Sequence, residues 1–262
     1  MIGIFDSGVG GLSVYREIRK ILPDRDIIYY ADSAHCPYGE KSREYITERA
    51  REITGFLISK GADIIVAACN TATAAAISTL RREFDIPFIG MEPAIKPAVQ
   101  CTVTGTVGVL ATAGTLKAEK YHDTREQYAE NVKIEERVGE GFVELVENGI
   151  LSGPQADATV SRSLKPLTDA GADVIVLGCT HYPFLSDCIE KTAALLAPER
   201  KIRLIDPAPA VARHLVEVMT EKGLLSGNEK GRTILLSSGD SALLENFYSR
   251  NINKCNTSGT GI

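Results

Sequence analysis

This 262-residue sequence lacks the features that mark several common classes of protein. It contains no Cys-x-x-Cys pair, so it predicts neither a zinc ribbon nor a thioredoxin-type redox site. Its apolar runs are only as long as strands, and no basic region precedes the apolar start at Ile2. We therefore expect no transmembrane helix, no signal peptide and a location in the cytoplasm. The net charge of -5 opposes a general nucleic-acid-binding surface, which needs clustered Lys and Arg.

The composition that is present is typical of a soluble globular protein, with 44% hydrophobic and 24% charged residues. The length allows either one large domain or two ordinary ones. Without a secretory signal, the cysteines are expected to be reduced thiols rather than a disulfide framework. They stand at positions 36, 69, 101, 179, 188 and 255.

One stretch of the sequence occurs twice. Residues 61–71 read Gly-Ala-Asp-Ile-Ile-Val-Ala-Ala-Cys-Asn-Thr, and residues 171–181 read Gly-Ala-Asp-Val-Ile-Val-Leu-Gly-Cys-Thr-His. Each copy is a short β-branched apolar run that ends at a cysteine and then becomes polar. This pattern predicts two buried strands that present Cys69 and Cys179 at equivalent strand-to-helix junctions.

Two further echoes flank this repeat in the same order. Residues 2–5 and 107–110 are each an apolar strand followed by a small-residue turn, and residues 86–89 and 202–205 are each a strand that leads to Pro-Ala and an aliphatic residue. Strands that alternate with helices predict parallel sheets, with ligands bound beyond the carboxyl ends of the strands. The sequence therefore predicts two pseudo-symmetric three-layer α/β domains, with the active site in the cleft between them.

The length of the final elements predicts that the chain crosses back to the first unit. We expect residues 1–96 and 209–262 to form the first domain, which is discontinuous, and residues 97–208 to form the second. The polar, glycine-containing end of the chain, residues 251–262, is expected to be disordered.

A single cysteine at a strand end is usually a small buried hydrophobe, but two matched cysteines that face one cleft indicate paired proton transfer. One thiolate would remove the α-hydrogen of a bound amino acid while the other thiol protonates the opposite face, which in principle requires no cofactor. A free thiol is only about 3% ionised at pH 7, so helices that begin at Asn70 and Thr180 are expected to stabilise the thiolates. Asp6 and His181 are the acid or base groups expected beside them.

Hydroxyl and amide groups follow the same strand ends. Each one alone is more typical of a helix cap, but together with free N–H groups at helix starts they indicate a lining that binds carboxylates. These residues are Ser7, Asn70, Thr71, Thr112, Thr115 and Thr180.

Two nucleotide motifs are rejected. The turn at residues 8–11 follows a strand, but the G-x-G-x-x-G fingerprint requires glycine where Ser13 stands, and Asp6 would repel a pyrophosphate. Residues 39–42 resemble the end of a P-loop, but Glu40 interrupts the Gly-Lys step.

Two other functions stay open on the residues alone. One is a cysteine hydrolase in which Cys69 or Cys179 is paired with His181 as its base, although it leaves the second matched cysteine without a role. The other is a non-catalytic amino-acid-binding module of two α/β lobes, which predicts binding that survives the loss of either thiol.

Several motifs, distributed over nearly the whole chain, together resemble one known family, the glutamate racemases of the cofactor-independent aspartate/glutamate racemase group. The motifs are Phe5-Asp6-Ser7-Gly8-Val9-Gly10-Gly11, Cys36-Pro37-Tyr38-Gly39, Ala68-Cys69-Asn70-Thr71-Ala72, Thr112-x-x-Thr115, Gly178-Cys179-Thr180-His181-Tyr182-Pro183 and Ser238-Gly239-Asp240.

The resemblance implies interconversion of L- and D-glutamate for peptidoglycan synthesis, with no cofactor, no metal site and a homodimeric assembly. It implies that Cys69 and Cys179 are the acid/base thiols, that Asp6 assists the first, and that His181 and Glu147 assist the second. An aspartate or other amino-acid racemase is the alternative within the family, and Thr73 and the Pro-Tyr-Gly loop favour glutamate. The implied substrate-binding positions are Ser7, Pro37, Tyr38, Gly39, Asn70, Thr71, Thr112, Thr115 and Thr180.

Overall fold

The computed structural model describes residues 1–128, 132–225 and 230–253. All neighbouring strands in it are parallel. The strands are β1 (Ile2–Asp6), β2 (Ile27–Ala31), β3 (Ile64–Ala67), β4 (Phe88–Gly90), β5 (Thr106–Ala111), β6 (Lys133–Val138), β7 (Val174–Gly178), β8 (Arg203–Ile205) and β9 (Thr233–Ser237).

The strands form two sheets with the same internal order. The first sheet runs β4-β3-β1-β2-β9 and the second runs β8-β7-β5-β6. If β9 is left aside, β1, β2, β3 and β4 occupy the positions of β5, β6, β7 and β8, so the duplication predicted from the sequence is present in the topology. The predicted α/β class with parallel sheets is confirmed. The predicted domain limits at residues 96/97 and 208/209 stay a prediction, and they agree with the pairing of β9 to β2 in the first sheet.

Helices and short 3-10 turns connect these strands. The helices are α1 (Leu12–Ile21), α2 (Arg43–Ser59), α3 (Asn70–Glu83), α4 (Ile95–Cys101), α5 (Ala113–Leu116), α6 (Glu119–Tyr128), α7 (Phe142–Glu147), α8 (Pro154–Asp169), α9 (Ser186–Leu196), α10 (Ala208–Glu221) and α11 (Ser241–Asn251). The 3-10 turns are Ser33–His35, Tyr38–Glu40 and Tyr182–Leu185.

Each sheet is covered by helices on both faces, as continuous apolar strands require. Because side chains alternate along a strand, Ile4 of β1 packs into the apolar cluster that includes α1 and α10, whereas Phe5 packs with α2 and α3. In the second sheet, Val109 of β5 faces α4 and α6, whereas Leu110 faces α8 and α9. Both Ile4 and Leu110 belong to one cluster, so the two sheets share a continuous core.

The two strand-to-helix junctions differ, which corrects one prediction. Helix α3 begins at Asn70 as expected, with Cys69 as its N-cap. No helix begins at Thr180: a 3-10 turn at Tyr182–Leu185 follows instead, and α9 begins only at Ser186. Pro183 contributes to the difference, because it has no N–H to make the bond that the Thr73 N–H donates to the Cys69 carbonyl at 2.8 Å in the first half.

The five described cysteines are free, in agreement with the expected reduced thiols. Among the described helices, none combines the length and the apolar character needed to cross a membrane. The expected disorder of residues 251–262 is wrong at its start, because Asn251 ends α11 and Ile252 is buried. Residues 254–262, which include Cys255, lie outside the described residues.

The centre of the second sheet offers a direct test of this packing. Leu177 in β7 is 0% exposed, whereas Leu195 in α9 is 74% exposed. We expect Leu177→Ala to lower the free energy of unfolding by about 2–5 kcal/mol, through lost burial and the cavity that remains. The matched Leu195→Ala should change it by less than about 0.5 kcal/mol. Chemical denaturation of both variants measures the difference, and equal effects would contradict the described core.

Candidate active site

The carboxyl ends of the central strands of both sheets meet around one small cavity. β3 leads to Cys69 and β7 leads to Cys179, so both thiols reach it from equivalent positions. The lining residues are Ser7, Pro37, Tyr38, Gly39, Cys69, Asn70, Thr71, Thr112, Val143, Cys179, Thr180 and His181. Of the residues predicted from the sequence, Asp6, Thr115 and Glu147 lie behind this lining rather than in it.

Cys69 is held at the N-terminus of α3. Its Sγ accepts a hydrogen bond from the N–H of Ala72 at 3.5 Å, and the thiol lies 4.0 Å from Oγ of Ser7. Burial and the nearby charge of Asp6 nevertheless raise the pKa of Cys69 well above its ordinary value, outweighing the Ala72 N–H. The N–H of Ala72 at the start of α3 favours the thiolate, as expected, but burial and Asp6 outweigh it, so the surroundings of Cys69 favour the protonated thiol.

Asp6 is a fully buried carboxyl group beneath the glycine-rich turn. Its Oδ2 accepts hydrogen bonds from the N–H groups of Gly8 at 3.1 Å and Gly11 at 2.9 Å. Thr180 donates to Oδ1 at 3.4 Å. Burial raises the pKa of Asp6 despite these contacts and the nearby His181. Asp6 is therefore suited to take up a proton at a higher pH than an exposed aspartate.

Cys179 has a different neighbour, the buried imidazole of His181. Nδ1 of His181 lies 3.7 Å from Sγ of Cys179, and Nε2 lies 2.6 Å from Oε1 of Glu147. Burial lowers the pKa of His181, but its hydrogen bonds with Cys179, Cys36 and Glu147 raise it well above its ordinary value. Burial raises the pKa of Glu147, but its hydrogen bonds with His181 and the Val9 N–H bring that pKa below the ordinary value. The contacts thus favour an imidazolium between the sulfur of Cys179 and the carboxylate of Glu147.

The glycine-rich turn allows these groups to approach. A Cβ at Gly8 would lie 1.9 Å from Oε1 of Glu147, and a Cβ at Gly10 would lie 2.2 Å from Nδ1 of His181. A side chain at Gly8 would displace Glu147, and one at Gly10 would displace His181. Ser13, where a dinucleotide fingerprint would need glycine, instead donates a hydrogen bond to the carbonyl of Thr180 at 2.9 Å. The turn therefore packs against the second sheet's strand end, which explains its glycines without a nucleotide.

Threonine hydroxyls connect the two sheets on the other side of the cavity. Oγ1 of Thr112 lies 3.0 Å from Oγ1 of Thr71 and 3.0 Å from Oγ1 of Thr115. Close by, the side-chain Oδ1 of Asn70 is buried and makes no hydrogen bond with the described residues. A buried polar atom without a partner is costly, so Asn70 is available to a polar ligand in the cavity.

The loop that carries Pro37, Tyr38 and Gly39 is fixed from below by Asp32. This buried carboxylate accepts hydrogen bonds from the Tyr38 hydroxyl at 2.6 Å and from Nη2 of Arg49 at 2.8 Å. Burial raises the pKa of Asp32, but the bonds with Arg49 and Tyr38 hold it below the ordinary value. Asp32 therefore stays charged and keeps the loop against the cavity.

Comparison with known proteins identifies the family. The model of the Asp/Glu/hydantoin racemase family matches residues 2–215. The chain belongs to this family of racemases. It is 50% identical over 225 residues to the glutamate racemase of Methylococcus capsulatus, covering 86% of this chain and 81% of the relative.

Solved structures of family members have the same fold. Glutamate racemase isoform RacE1 from Bacillus anthracis superposes with a TM-score of 0.85 at 32% identity, covering 95% of this chain and 92% of that chain. Escherichia coli glutamate racemase, solved in complex with L-glutamate and the activator UDP-MurNAc-ala, superposes with a TM-score of 0.82 at 34% identity, covering 95% and 92%.

Three residues at this racemase-family site were not identified from the sequence. Val143 lines the cavity from α7, and Asp32 and Cys36 flank the Pro-Tyr-Gly loop. Asp32 carries a usable signal, because a charged residue directly after an apolar strand lies where the carboxyl ends meet. Cys36 begins the Cys36-Pro37-Tyr38-Gly39 motif, but the motif gave this thiol no role. Val143 carries no signal, since its position depends on the packing of one sheet against the other.

The His181–Glu147 contact predicts a pH-dependent contribution to stability. Because the folded pKa of His181 is raised, its contribution is fully present below the unfolded pKa of about 6.5 and is lost as pH rises through the higher folded pKa. We expect Glu147→Gln to lower the pKa of His181, measured by NMR titration, and to reduce the loss of unfolding free energy between pH 6 and the alkaline range. Glu144→Gln, an exposed residue of the same helix, is the control. An unchanged His181 pKa in Glu147→Gln would contradict the interpretation.

Proposed function

We propose that this protein interconverts L- and D-glutamate by proton transfer between two cysteines and the α-carbon, without a cofactor. The observation that carries the proposal is that Cys69 and Cys179, from equivalent strands of two duplicated sheets, line the same cavity. A single nucleophile would not require the second thiol. Relatives and solved structures named glutamate racemase support glutamate as the substrate.

The lining suits an amino acid with carboxylate groups. It contains hydroxyl and amide side chains, and the residues that form it among the described ones include no lysine or arginine. Carboxylates would therefore be held by hydroxyl and backbone N–H donors, among which Ser7, Thr71, Thr112 and Thr180 are the proposed contacts. The buried Oδ1 of Asn70 is free to accept a hydrogen bond from the α-ammonium group.

Racemisation needs one thiolate and one thiol at the start of each turnover. The thiolate removes the α-hydrogen from one face, and the thiol on the other face gives its proton to the resulting carbanion. The product is the opposite enantiomer, and the protonation states of Cys69 and Cys179 are then exchanged. The surroundings of Cys69 favour its thiol form, and in each direction one cysteine acts as the thiolate base while the other acts as the thiol acid.

The neighbouring groups divide between the two thiols. His181, with Nδ1 toward Cys179, offsets the charge of a Cys179 thiolate and can exchange a proton with it, while Glu147 orients the ring through Nε2. Asp6 stands on the Cys69 side, where its burial favours uptake of a proton. We propose that Asp6 assists Cys69 and that His181 and Glu147 assist Cys179.

We further propose the biological setting that the resemblance implies. It is a cytoplasmic homodimer that supplies D-glutamate for peptidoglycan synthesis. Sedimentation velocity of the purified chain tests the dimer, and D-glutamate dependence of a deletion strain tests the supply.

The decisive experiment is incubation of L-glutamate with the protein in deuterium oxide, with no added cofactor. We expect loss of optical activity with incorporation of deuterium at the α-carbon. Cys69→Ser and Cys179→Ser should each reduce the rate by at least about 100-fold, the lower range for general acid–base groups, while folding normally. Cys101→Ser, whose thiol lies at Arg203 outside the site, should retain the parent rate.

Other outcomes separate the alternatives. Inversion of aspartate but not glutamate would assign a different amino acid to the same mechanism. Hydrolytic activity that survives in one of the two serine variants would favour a cysteine hydrolase. Glutamate binding without turnover in the parent protein would favour a binding module.

A further inference from the structure

A third thiol lies beside the His181–Glu147 pair, and the mechanism above does not use it. Sγ of Cys36 is 3.8 Å from Oε1 of Glu147, and the same oxygen is 2.6 Å from Nε2 of His181. One ligand atom from each of the three residues lies within 4.8 Å of the ligand atoms of the other two. His181 is buried, and Cys36 and Glu147 are half-buried, so the cluster is partly shielded from water.

We propose that Cys36, Glu147 and His181 form an inhibitory binding site for a thiophilic divalent cation of the Zn2+ class. Zinc binds thiolate, imidazole and carboxylate at about 2.0–2.3 Å, which places tetrahedral ligand atoms about 3.5 Å apart. The Cys36–Glu147 separation already matches this spacing. The Glu147–His181 separation must widen by about 1 Å, which a rotation of the Glu147 carboxylate can provide.

The donor set selects the class of ion. Thiolate and imidazole favour zinc and similar borderline metals, whereas magnesium and calcium require oxygen ligands. One thiolate and one carboxylate also balance the two positive charges of the ion, which suits a half-buried position. No other group of three such side chains is found among the residues the structure describes. Three protein ligands leave a fourth position for water.

Binding would change the groups beside Cys179. Coordination releases two protons to solvent, one from the Cys36 thiol and one from Nε2 of His181, because each donor atom needs a free electron pair to bind the metal. Nδ1 then keeps the remaining ring proton, facing Cys179. His181 can no longer exchange a proton with that thiol, so the ion would inhibit the proposed racemisation. This consequence rests on the proposed function, whereas the binding itself does not.

The three ligands come from different parts of the fold. Cys36 follows β2 of the first sheet, Glu147 ends α7, and His181 follows β7 of the second sheet. Cys36 also directly precedes the Pro37–Gly39 segment that lines the cavity. A metal ion would therefore tie this segment to the second sheet's strand end and hold the cavity in its present form.

Titration with Co2+ as a spectroscopic substitute for Zn2+ tests the site without any turnover. The parent protein should show a thiolate-to-cobalt charge-transfer absorption that saturates at one equivalent and is displaced by Zn2+. Cys36→Ser should lose this absorption and bind Zn2+ at least about 10-fold more weakly. Mutation of a residue that only hydrogen-bonds to a metal ligand already lowers metal affinity by about that factor. Cys101→Ser, with its thiol elsewhere, should match the parent, and circular dichroism checks the fold of each variant.

Two results would overturn the proposal. One is the absence of a charge-transfer absorption in the parent protein at saturating Co2+. The other is an absorption that persists in Cys36→Ser and disappears in Cys179→Ser, which would assign the metal to the other thiol. Glu147→Gln provides a second variant and should also weaken Zn2+ binding.

The inhibitory effect is measured separately. Zn2+ should slow racemisation by the parent protein and by Cys101→Ser. The same Zn2+ concentrations should leave the rate of Cys36→Ser equal to the rate of that variant without metal. If the parent shows no racemase activity, the proposed function fails but the cobalt titration still decides the metal site. Equal inhibition of the parent protein and of Cys36→Ser by Zn2+ would show that the inhibition does not come from the site formed by Cys36, Glu147 and His181.

Discussion

The close packing of the glycine-rich turn against the Glu147–His181 pair is the contact on which the site depends. A Cβ at Gly8 would displace the Glu147 carboxylate, and a Cβ at Gly10 would displace the His181 ring, so glycine at both positions preserves their contact. The N–H of Val9 also holds Oε1 of Glu147 at 2.8 Å. Because this turn follows the first sheet's central strand and the pair belongs to the second sheet, one contact joins the two halves and orients the imidazole toward its thiol.

The same packing buries several acidic groups, which raises the free-energy cost of their charged forms. Asp6, Glu147 and the two thiols are acidic groups near one cavity, and burial alone disfavours their charged forms. Asp6 and Cys69 respond with raised pKa values, whereas Glu147 keeps its charge because His181 is its partner. The imidazolium of His181 thus stabilises the negative charge of Glu147. The surroundings of Asp6 and Cys69 instead favour the protonated forms of both groups. The proposed two-cysteine reaction needs one thiolate and one thiol, and these unequal surroundings are compatible with it.

Much of this could be predicted from the sequence, because duplication is visible in linear order. The matched strands before Cys69 and Cys179 indicated parallel sheets and a shared cavity. Glu147 could not be found from pattern alone: a glutamate that ends a short helix is usually solvated, and only the resemblance implied a role. Cys36 was also missed, since its contact with Glu147 is set by how the first sheet's loop packs on the second sheet's helix. Local propensity carries no information about such a contact.

The two sheets have the same strand order. They differ in the segments that follow β3 and β7. Beyond β3, α3 begins at once and its N-terminal Ala72 N–H contacts the thiol. Beyond β7, Pro183 delays the helix and the chain forms a 3-10 turn. No helix starts beside Cys179. Its thiol instead has a side-chain neighbour, His181, which lies two residues further along the chain with Nδ1 3.7 Å from Sγ. One thiol of the duplicated fold therefore has a backbone N–H at a helix start as its neighbour, and the other has an imidazole beside a 3-10 turn.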